Sequence, residues 1–392
     1  MTKLDEFIQE LCPDGVKYLP IPELFITRNG YTPSKANNEF WENGTIPWFR
    51  MEDIRENGRI LTTATQYVSE KAVKGKLFPA DSIIIATSAT IGEHALIKVP
   101  SLANQRFTYL TLKDEFKDCV DMMFVFYYCF RLDEYCKSHL NQGNFASVDM
   151  KQFAAFKFPV PPLPVQREIV RILDNFTELT AELTAELTAE LTARKKQYAY
   201  YRDKLLTMGT EQVAVCNLGD IADIYTGSKP NEILDTISDY EYINAGTGNS
   251  GYTEQPNCEG DTVTTPSRGQ GGIGYVGYQS KPFYLGPLCY AIRSKTQEFI
   301  INKYIYHWLV SHSSDILVLK NEGGTPALNK TDLAKIRIKV PPLSVQNRLV
   351  EVLDNFDAIC TDLSSGLPAE IEARQKQYEY YRDKLLSFEE KI

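Results

Sequence analysis

The stretch "VPPLPVQREIVRILDNF" at 160–176 decides the fold of this chain, because it returns as "VPPLSVQNRLVEVLDNF" at 340–356. A second pair, "KQYAYYRDKLL" at 196–206 and "KQYEYYRDKLL" at 376–386, has the same offset of 180 residues. From the first Val to the last Leu of each copy, 27 of 47 positions are identical without a gap. A repeat of this length indicates an internal duplication rather than a solenoid repeat.

The duplication divides the 392 residues into two homologous halves, about 1–208 and 209–392. In each half Pro-Pro ends an extended segment, and apolar residues spaced by three and four then predict a helix. In the first half this helix should continue through "TELTAELTAELTAELTAR" at 177–194, where Thr-Ala-Glu-Leu is repeated. In the second half Gly366 and Pro368 should kink or interrupt it.

An apolar ladder at every fourth position runs along both predicted helices. Two such stripes drift at the same rate, so we expect the two helices to stay in contact along their length. The ladder consists of Leu179, Leu183, Leu187 and Leu191 in the first copy and of Ile359, Leu363, Leu367 and Ile371 in the second.

The regions before these helices are rich in Gly, Asn, Thr and aromatic residues. They carry short β-like runs, "DSIIIAT" at 81–87 and "KIRIKV" at 335–340, and helical stretches at 119–138 and 299–318. We predict a mixed α/β chain with two mainly-β domains, separated by two long helices and related by pseudo-two-fold duplication. The expected bounds are 1–158 for the first domain, 159–208 for the central helix, 209–339 for the second domain and 340–392 for the distal helix.

Composition limits the function classes. A net charge of −9 argues against a simple free-standing nucleic-acid binder, which usually carries a basic excess. Eight scattered cysteines without a CxxC pair, and four scattered histidines, argue against structural zinc and for reduced thiols in the cytoplasm. The most apolar run, around Met122 to Phe130, is too short to cross a bilayer.

No catalytic motif stands out. The Pro-Pro pairs lack the Asn or Asp and the aromatic residue of the adenine-methyltransferase motif. "GIGYVG" at 272–277 fits GxGxxG, but no helix start follows, so a glycine-rich hairpin turn is the better interpretation. Neither a Walker-type loop nor a nucleophile motif beside a histidine is visible. We therefore expect no enzyme activity from this chain.

The duplicated stretches resemble the conserved regions of type I restriction–modification specificity subunits. "TPSKANNEFWENGTIPWFRMEDI" at 32–54 and "GGTPALNKTDLAKIRIKVPPL" at 323–343 are similar to the opening and closing segments of that family's target recognition domains. The tandem Thr-Ala-Glu-Leu is similar to the central spacer of the type IC group. The resemblance covers nearly the whole chain.

The resemblance implies a reader of double-stranded DNA that has no catalysis of its own. Each recognition domain would bind one half of a split, asymmetric site, and two antiparallel helices would set the distance between them. Two methyltransferase subunits would bring S-adenosylmethionine chemistry at adenine N6, and restriction subunits would add ATP-driven translocation and cleavage. S-adenosylmethionine, ATP and Mg would therefore lie on the partners, with no cofactor in this chain and no membrane involved. The partners would also supply much of the basic surface.

Base-reading candidates are polar and aromatic residues at predicted turns, since Arg, Lys, Asn and Gln can pair with base edges. Each could instead be a solvated loop residue or make a turn hydrogen bond. In the first domain they are Lys35, Trp48, Arg50, Ser88, Thr90, Asn104, Gln105, Arg106 and Asn144. In the second they are Lys229, Asn244, Arg268, Gln270, Asn329 and Lys330. Candidates for subunit docking, with solvated helix ends as the alternative, are Arg202, Lys204, Arg382 and Lys384.

Two other functions stay open at this point. The chain could be a coiled-coil scaffold that organises proteins and never touches DNA. It could also be an enzyme with an unfamiliar site. Sequence-dependent DNA binding in the presence of a methyltransferase subunit separates the first from a specificity subunit, and activity of the purified chain alone would identify the second.

Overall fold

The computed structural model describes residues 3–141, 146–207, 213–269, 271–321, 325–361 and 366–391. The chain forms two compact units. The first unit comprises Met1–Thr184 and Ala373–Ile392, and the second unit comprises Ala185–Glu372. The C-terminal end of the second sequence copy therefore belongs to the first unit, and the end of the first copy belongs to the second unit.

The first unit combines short strands with one long and several short helices. Its strands are β1 (Tyr18–Pro20), β2 (Phe25–Asn29), β3 (Ile46–Phe49), β4 (Ile60–Leu61), β5 (Tyr67–Val68), β6 (Ser82–Ala86), β7 (His94–Ile97), β8 (Leu102–Ala103), β9 (Phe107–Leu112) and β10 (Lys157–Pro159). Its helices are α1 (Lys3–Leu11), α2 (Ile21–Leu24), α3 (Met51–Asn57), α4 (Met122–Ser138), α5 (Met150–Ala155) and the beginning of α6 (Leu163–Thr207).

The second unit repeats this plan. Its strands are β11 (Ala214–Asn217), β12 (Ala222–Thr226), β13 (Tyr240–Ile243), β14 (Tyr252–Thr253), β15 (Thr262–Pro266), β16 (Gly277–Gln279), β17 (Tyr284–Leu285), β18 (Cys289–Ser294) and β19 (Arg337–Val340). Its helices are α7 (Leu218–Ile221), α8 (Asn302–Ser311), α9 (Ser313–Val318), α10 (Lys330–Leu333), α11 (Leu343–Thr361) and the beginning of α12 (Leu367–Leu385), which ends in the first unit.

Each unit contains a main sheet and a side sheet of matching topology, except that the first main sheet has an additional strand, β4, at one edge. The main sheets run β2-β9-β6-β7-β4 and β12-β18-β15-β16. In the side sheets, β5-β3-β8 and β14-β13-β17, the central strand is antiparallel to the first neighbour and parallel to the last. The predicted mixed α/β class is confirmed, and the strands predicted at 81–87 and 335–340 are present as β6 and β19. The stretch 272–277 lies in the connection between the antiparallel strands β15 and β16, as a hairpin.

The long helices follow the sequence pattern closely. α6 runs unbroken through 177–194, as its leucine period predicts. The second copy is interrupted: α11 ends at Thr361, and α12 begins at Leu367 with Pro368 in its first turn, where a missing N–H costs nothing. None of the helices in the described ranges combines the length and apolar character needed to span a lipid bilayer.

The apolar ladder is not uniformly buried. Leu187 is 8% exposed, whereas Leu179 is 60% and Ile359 47% exposed. An α-helix has 3.6 residues per turn, so four residues turn it about 40° more than one full turn. Successive ladder residues therefore point in gradually different directions and cannot all face the same partner. Contact along the whole ladder was therefore the wrong expectation at Leu179 and Ile359. Half-buried positions are Leu183, Leu191, Leu367 and Ile371, and Leu363 lies outside the described residues.

A buried glutamine explains why both copies carry Pro-Pro followed by Val-Gln. The Gln166 amide nitrogen donates to the carbonyl oxygens of Pro161 (2.6 Å) and Cys119 (2.8 Å), and its oxygen accepts from the Asp121 N–H (2.8 Å). It thereby fastens the start of α6 to the start of α4. Gln346 makes the same clamp 180 residues later. Its partners are Pro341 (2.8 Å), Phe299 (2.9 Å) and the N–H of Ile301 (3.1 Å).

Candidate nucleic-acid interface

Several loops of the first unit meet at one end of its main sheet. β2 and β6 end there and β9 and β7 begin there, because these neighbours are antiparallel. The residues that leave or enter the strands at this end include Gly30, Thr87 and Arg106. We call this side of each unit the loop end. Loops carried by a rigid sheet are where binding residues concentrate.

Three of the predicted base readers lie next to one another in the turn before β9. The Asn104 N–H donates to the Phe49 carbonyl oxygen (3.0 Å), and the Asn104 side-chain oxygen accepts from the Arg106 N–H (3.0 Å). The Thr32 hydroxyl donates to the side-chain oxygen of Gln105. Gln105 and Arg106 are exposed and Asn104 is half-buried. The turn is thus fixed by its own asparagine, and the two exposed side chains project from a rigid backbone.

Arg50 and Trp48 differ in their environment. Arg50 precedes α3, its N–H donates to Asp53 (2.7 Å), and its guanidinium lies 5.9 Å from the Trp48 ring. Trp48 is 4% exposed, packs edge-on against Trp41 and donates its indole N–H to the Tyr31 carbonyl oxygen (2.9 Å). Expecting Trp48 to face bases was wrong, because its ring belongs to the hydrophobic core.

The remaining candidates of the first unit are spread over two loops. Ser88 and Thr90 lie half-buried between β6 and β7, and Ala89 between them has a positive φ of 64°. Lys35 is exposed in the loop before β3. Asn144 lies outside the described residues.

The loop end of the second unit carries Arg268 as an exposed cation. β12 and β15 end there and β18 and β16 begin there. Lys229, just after β12, is also exposed. Asn244 is half-buried, and its side-chain oxygen accepts from the Leu288 N–H (3.0 Å), so this residue shapes a turn.

The last two candidates belong to the segment beside Arg268. Asn329 and Lys330 are exposed at the start of α10, and the Asn329 amide donates to Asp332 (3.3 Å). The neighbouring Leu328 N–H donates to Ser267, next to Arg268 (2.9 Å). Gln270 lies outside the described residues.

Equivalent hydrogen bonds hold the loop that follows β6 in the first unit and the loop that follows β15 in the second. The Thr87 N–H donates to the Arg106 carbonyl oxygen (2.9 Å), and the Thr87 carbonyl oxygen accepts from the Val148 N–H (2.9 Å). Ser267, 180 residues later, is held in the same way. Its partners are the Leu288 carbonyl oxygen (2.8 Å) and the Leu328 N–H (2.9 Å).

Ser88 and Arg268 therefore occupy equivalent positions. Each makes a β-bridge to a residue of the segment that precedes the long helix of its own unit. Ser88 pairs with Ser147, and Arg268 pairs with the equivalent residue, Ala327. The next residue in each loop has a positive φ, 64° at Ala89 and 117° at Gly269. The two units therefore share the backbone conformation and hydrogen bonds of this loop, which we call the loop frame. The side chain that the loop frame presents is the short hydroxyl of Ser88 in the first unit and the long cation of Arg268 in the second.

Asp354 anchors the second unit's long helix to the helix that follows its main sheet. His307 is buried, with Nε2 2.7 Å from the Asp354 carboxylate, and Lys303 lies 3.5 Å from the same oxygen. Burial raises the pKa of the Asp354 carboxyl, but these two partners outweigh it and hold that pKa below its ordinary value. In the first unit Tyr127 and Asp174 make the equivalent bond, 2.7 Å.

The four docking candidates fall into two environments. Arg202 and Arg382 each pair with the next residue, and their guanidiniums lie over Tyr198 and Phe130, at 5.6 and 4.3 Å. Lys204 and Lys384 are exposed. The arginines therefore help to pack the helix ends, and the lysines remain accessible.

Two determinants were not predicted from the sequence. Besides the glutamine clamps, the fully buried Asp53 carboxylate accepts from the N–H groups of Arg50 (2.7 Å) and Thr65 (2.6 Å). The available signal was the capping spacing, three residues from Arg50 to Asp53. In the part of the chain that the structure describes, no group of His, Cys, Asp or Glu is arranged to hold a metal ion.

Comparison with known proteins agrees with this duplicated architecture. The sequence model of the type I restriction modification DNA specificity domain matches residues 13–193 and 210–373. The EcoprrI specificity subunit of Escherichia coli, a type I restriction enzyme subunit, is 44% identical over 367 residues, which cover 90% of each chain. A putative type I specificity subunit of Haemophilus influenzae is 36% identical over 256 residues, 59% of this chain and 63% of that one.

Solved structures share the fold. A chain from a type I restriction–modification system, solved in a study of its complex assembly and conformational transition, aligns with a TM-score of 0.70 at 15% identity. It covers 95% of this chain and 98% of that one. The HsdS subunit of Thermoanaerobacter tengcongensis aligns with a TM-score of 0.55 at 15% identity, over 96% and 97% of the two chains.

The chain belongs to the family of type I restriction–modification DNA specificity subunits. Its place in such a system is that of the non-catalytic recognition subunit.

Proposed function

We propose that this chain reads a bipartite, asymmetric site in double-stranded DNA, with one half-site for each recognition domain, 1–158 and 209–339. The shared loop frame that presents Ser88 in one unit and Arg268 in the other carries this proposal. A common backbone with different side chains lets two duplicated domains approach DNA alike and read different bases.

We assign the base contacts to the exposed and half-buried candidates among the described residues, and we keep Asn144 and Gln270, which lie outside those residues, as candidates from the sequence. Arg, Lys, Asn and Gln match purine edges, and Ser and Thr can bond to several bases. In the first domain we retain Lys35, Arg50, Ser88, Thr90, Asn104, Gln105, Arg106 and Asn144. In the second we retain Lys229, Arg268, Gln270, Asn329 and Lys330, with Asn244 shaping the turn.

Partner binding follows from the duplication of the helix ends. Lys204 and Lys384 are equivalent and exposed, and the nearby Arg202 and Arg382 pack over aromatic rings. Two equal surfaces favour two copies of one partner. We therefore propose that two methyltransferase subunits dock there, recruit restriction subunits, and bring S-adenosylmethionine, ATP and Mg into a cytoplasmic complex.

The helices 159–208 and 340–392 would act as an antiparallel spacer between the half-sites, as in the type IC group. α6 has no break through the Thr-Ala-Glu-Leu repeats, so a change in their number alters a single rigid element. Its length and rotation would then decide how many base pairs are left unread.

Binding measurements with the reconstituted complex test the proposal. Titration of the chain with its methyltransferase subunit, followed by native mass spectrometry, should reach two subunits per chain. That complex should bind one DNA sequence in preference to its scrambled version. Saturation at a single subunit would contradict the two docking surfaces. Assembly without any DNA sequence preference would favour a scaffold instead.

A further inference from the structure

A lysine-bearing segment distinguishes the first unit from the second. It occupies 69–77, "SEKAVKGKL", between β5 and the β-bridge of Phe78 to Ser101. The corresponding segment of the second unit, between β14 and the bridge of Cys258 to Phe283, is only 254–257, "EQPN". The first version is five residues longer and carries three lysines, and the second carries no cation.

The longer segment is fastened to the loop that follows β2. The Tyr31 hydroxyl donates to the Ala72 carbonyl oxygen (3.0 Å) and accepts from the Lys74 N–H (2.7 Å). The Arg28 guanidinium donates to the Lys76 carbonyl oxygen (2.7 Å). These hydrogen bonds involve backbone atoms of the segment. They therefore fix its position and leave the side chains of Lys74 and Lys76 free to project.

Arg28 is itself held in place by an aromatic stack. Its guanidinium lies 3.8 Å from the centre of the Phe78 ring, which stacks at 3.5 Å on the fully buried Tyr109. A guanidinium stacked on an aromatic ring and bonded to a carbonyl oxygen has little freedom. Arg28 is therefore a positioning residue for Lys76.

The segment lies beside the base-reading candidates. The Gly30 and Tyr31 N–H groups donate to the carbonyl oxygens of Phe107 (2.9 Å) and Ala103 (2.8 Å). The Thr32 hydroxyl donates to Gln105. The loop that holds the lysines is thus joined to the turn that presents Gln105 and Arg106.

The charges of two of these lysines are not neutralised. Lys71 pairs with Glu39 at 3.1 Å. Lys74 and Lys76 are exposed, and neither makes an ion pair with any residue in the described ranges. Lys74 lies 5.5 Å from the Tyr31 ring centre, so an aromatic face supports its ammonium group. We call Lys74 and Lys76 the basic ridge.

We infer that the basic ridge binds backbone phosphates beside the half-site read by the first unit, and that the second unit has no counterpart at the equivalent segment. The inference rests on the proposed function. A lysine ammonium is a point charge that suits phosphate without reading sequence. The acidic chain would then hold DNA unequally at its two halves.

Salt dependence of binding tests this inference, because each phosphate contact adds about 0.9 to the slope of log affinity against log salt. We would compare the wild-type methyltransferase complex with K74Q/K76Q on a labelled target duplex between about 50 and 200 mM salt. The salt-induced loss of affinity should be about tenfold smaller for the variant, while discrimination against a mutated half-site stays the same. The control with the same change of charge is K98Q/K117Q, since both lysines are exposed at the opposite end of the same sheet, where they pair with Asp81 and Asp114.

Uncharged methylphosphonate linkages provide the positional readout. Placed beside the half-site of the first unit, they should weaken binding of the wild type and leave K74Q/K76Q unaffected. An unchanged salt slope in K74Q/K76Q, or an equal change in the control, would overturn the inference. Failure of the proposed function would look different, because the wild-type complex itself would then show no sequence preference.

Discussion

The ring of Phe176 lies 6.1 Å from the ring of Tyr381, on a helix that belongs to the other sequence copy. The equivalent contact, Phe356 with Tyr201 at 6.4 Å, lies in the second unit. Each unit therefore contains a helix beginning from its own copy and a helix end from the other. Duplication alone does not require this exchange of ends, and it ties each domain to both copies.

This reciprocal packing predicts local effects of two equivalent substitutions. Phe176→Ala should loosen 373–385 and Phe356→Ala should loosen 195–207, because each removes the aromatic partner of one helix end. An aromatic pair of this kind contributes about 0.5–1.5 kcal/mol. Hydrogen–deuterium exchange of the two variants checks it, with each serving as the control for the other. Increased exchange at the same helix end in both variants would refute the pairing.

The bond between His307 and Asp354 predicts a pH effect on the second unit. The pKa of Asp354 is lower in the folded chain than in the unfolded one, so the unfolded state binds more protons. The stabilisation is present above about pH 4 and is lost as the pH falls further. Since this carboxylate is 40% exposed, solvent screening should limit the effect to less than about 1 kcal/mol.

Asp354→Asn should accordingly make the free energy of unfolding less dependent on pH in the acid range. Urea midpoints measured between about pH 3 and 5 provide the readout, and Asp174→Asn at the equivalent position of the first unit is the control. An acid slope in Asp354→Asn as steep as in the wild type would show that the bond contributes nothing.

Arg268 predicts a change in specificity. Arg268 is exposed, and its loop is held by backbone hydrogen bonds on both sides. An added Cβ at the following Gly269 would meet no atom of the more distant described residues within 4 Å. Arg268→Ala should weaken specific binding by about 1–3 kcal/mol and relax discrimination at one base pair. Competition binding by the complex measures both effects, with the exposed Arg337→Ala as control. Unchanged affinity and sequence preference would remove Arg268 from the interface.

The Thr-Ala-Glu-Leu repeats predict a change in spacer length. Deleting 188–191 shortens α6 by about 6 Å and turns its far end by about 40°. One base pair rises about 3.4 Å and turns about 35°, so the rotation matches one base pair. Rotation should dominate, because a domain facing the wrong side of the duplex cannot reach its groove. We therefore expect both half-sites to persist, with one base pair fewer between them.

A shorter deletion distinguishes a repeat that sets the spacer length from one that only forms a helix surface. Removing only 188–189 turns the downstream helix by about 200°, which should abolish assembly or activity. Methylation maps of cells carrying each variant give the answer. An unchanged spacer after the four-residue deletion would mean that the repeat does not measure distance.

The sequence predicted the helices and strands better than it predicted which residues pack against them. The α6 helix, the break near Pro368 and the strand at 81–87 followed from local periodicity and turn chemistry, which nearby residues determine. Periodicity identifies an apolar face without identifying what covers it. That is why the pairing of Phe176 with Tyr381, 205 residues away, required the structure.

The candidate site was predictable to a similar degree. Turn signals located Arg106 and Arg268 in exposed loops of the two loop ends. Trp48 was misassigned because it was taken for a turn residue, whereas it lies in β3 and its ring is buried against Trp41. The clamp of Gln166 joins residues 47 positions apart, so no local pattern reveals it.

The central claim is that each recognition domain reads its own half-site, and a domain exchange tests it most directly. The structure refines the design, because Val16 and Glu389 are joined by a backbone hydrogen bond (2.9 Å) and Lys157 pairs with Glu390 (2.8 Å). The exchanged first domain, 1–158, should therefore be tested with its own C-terminal segment, 386–391, and without it. Exchange of the second domain, 209–339, is the reciprocal control. Mapping methylated adenines in DNA from cells that carry each complex should show one half-site changed and the other unchanged. Two altered half-sites, or none, after the exchange of a single domain would contradict the account.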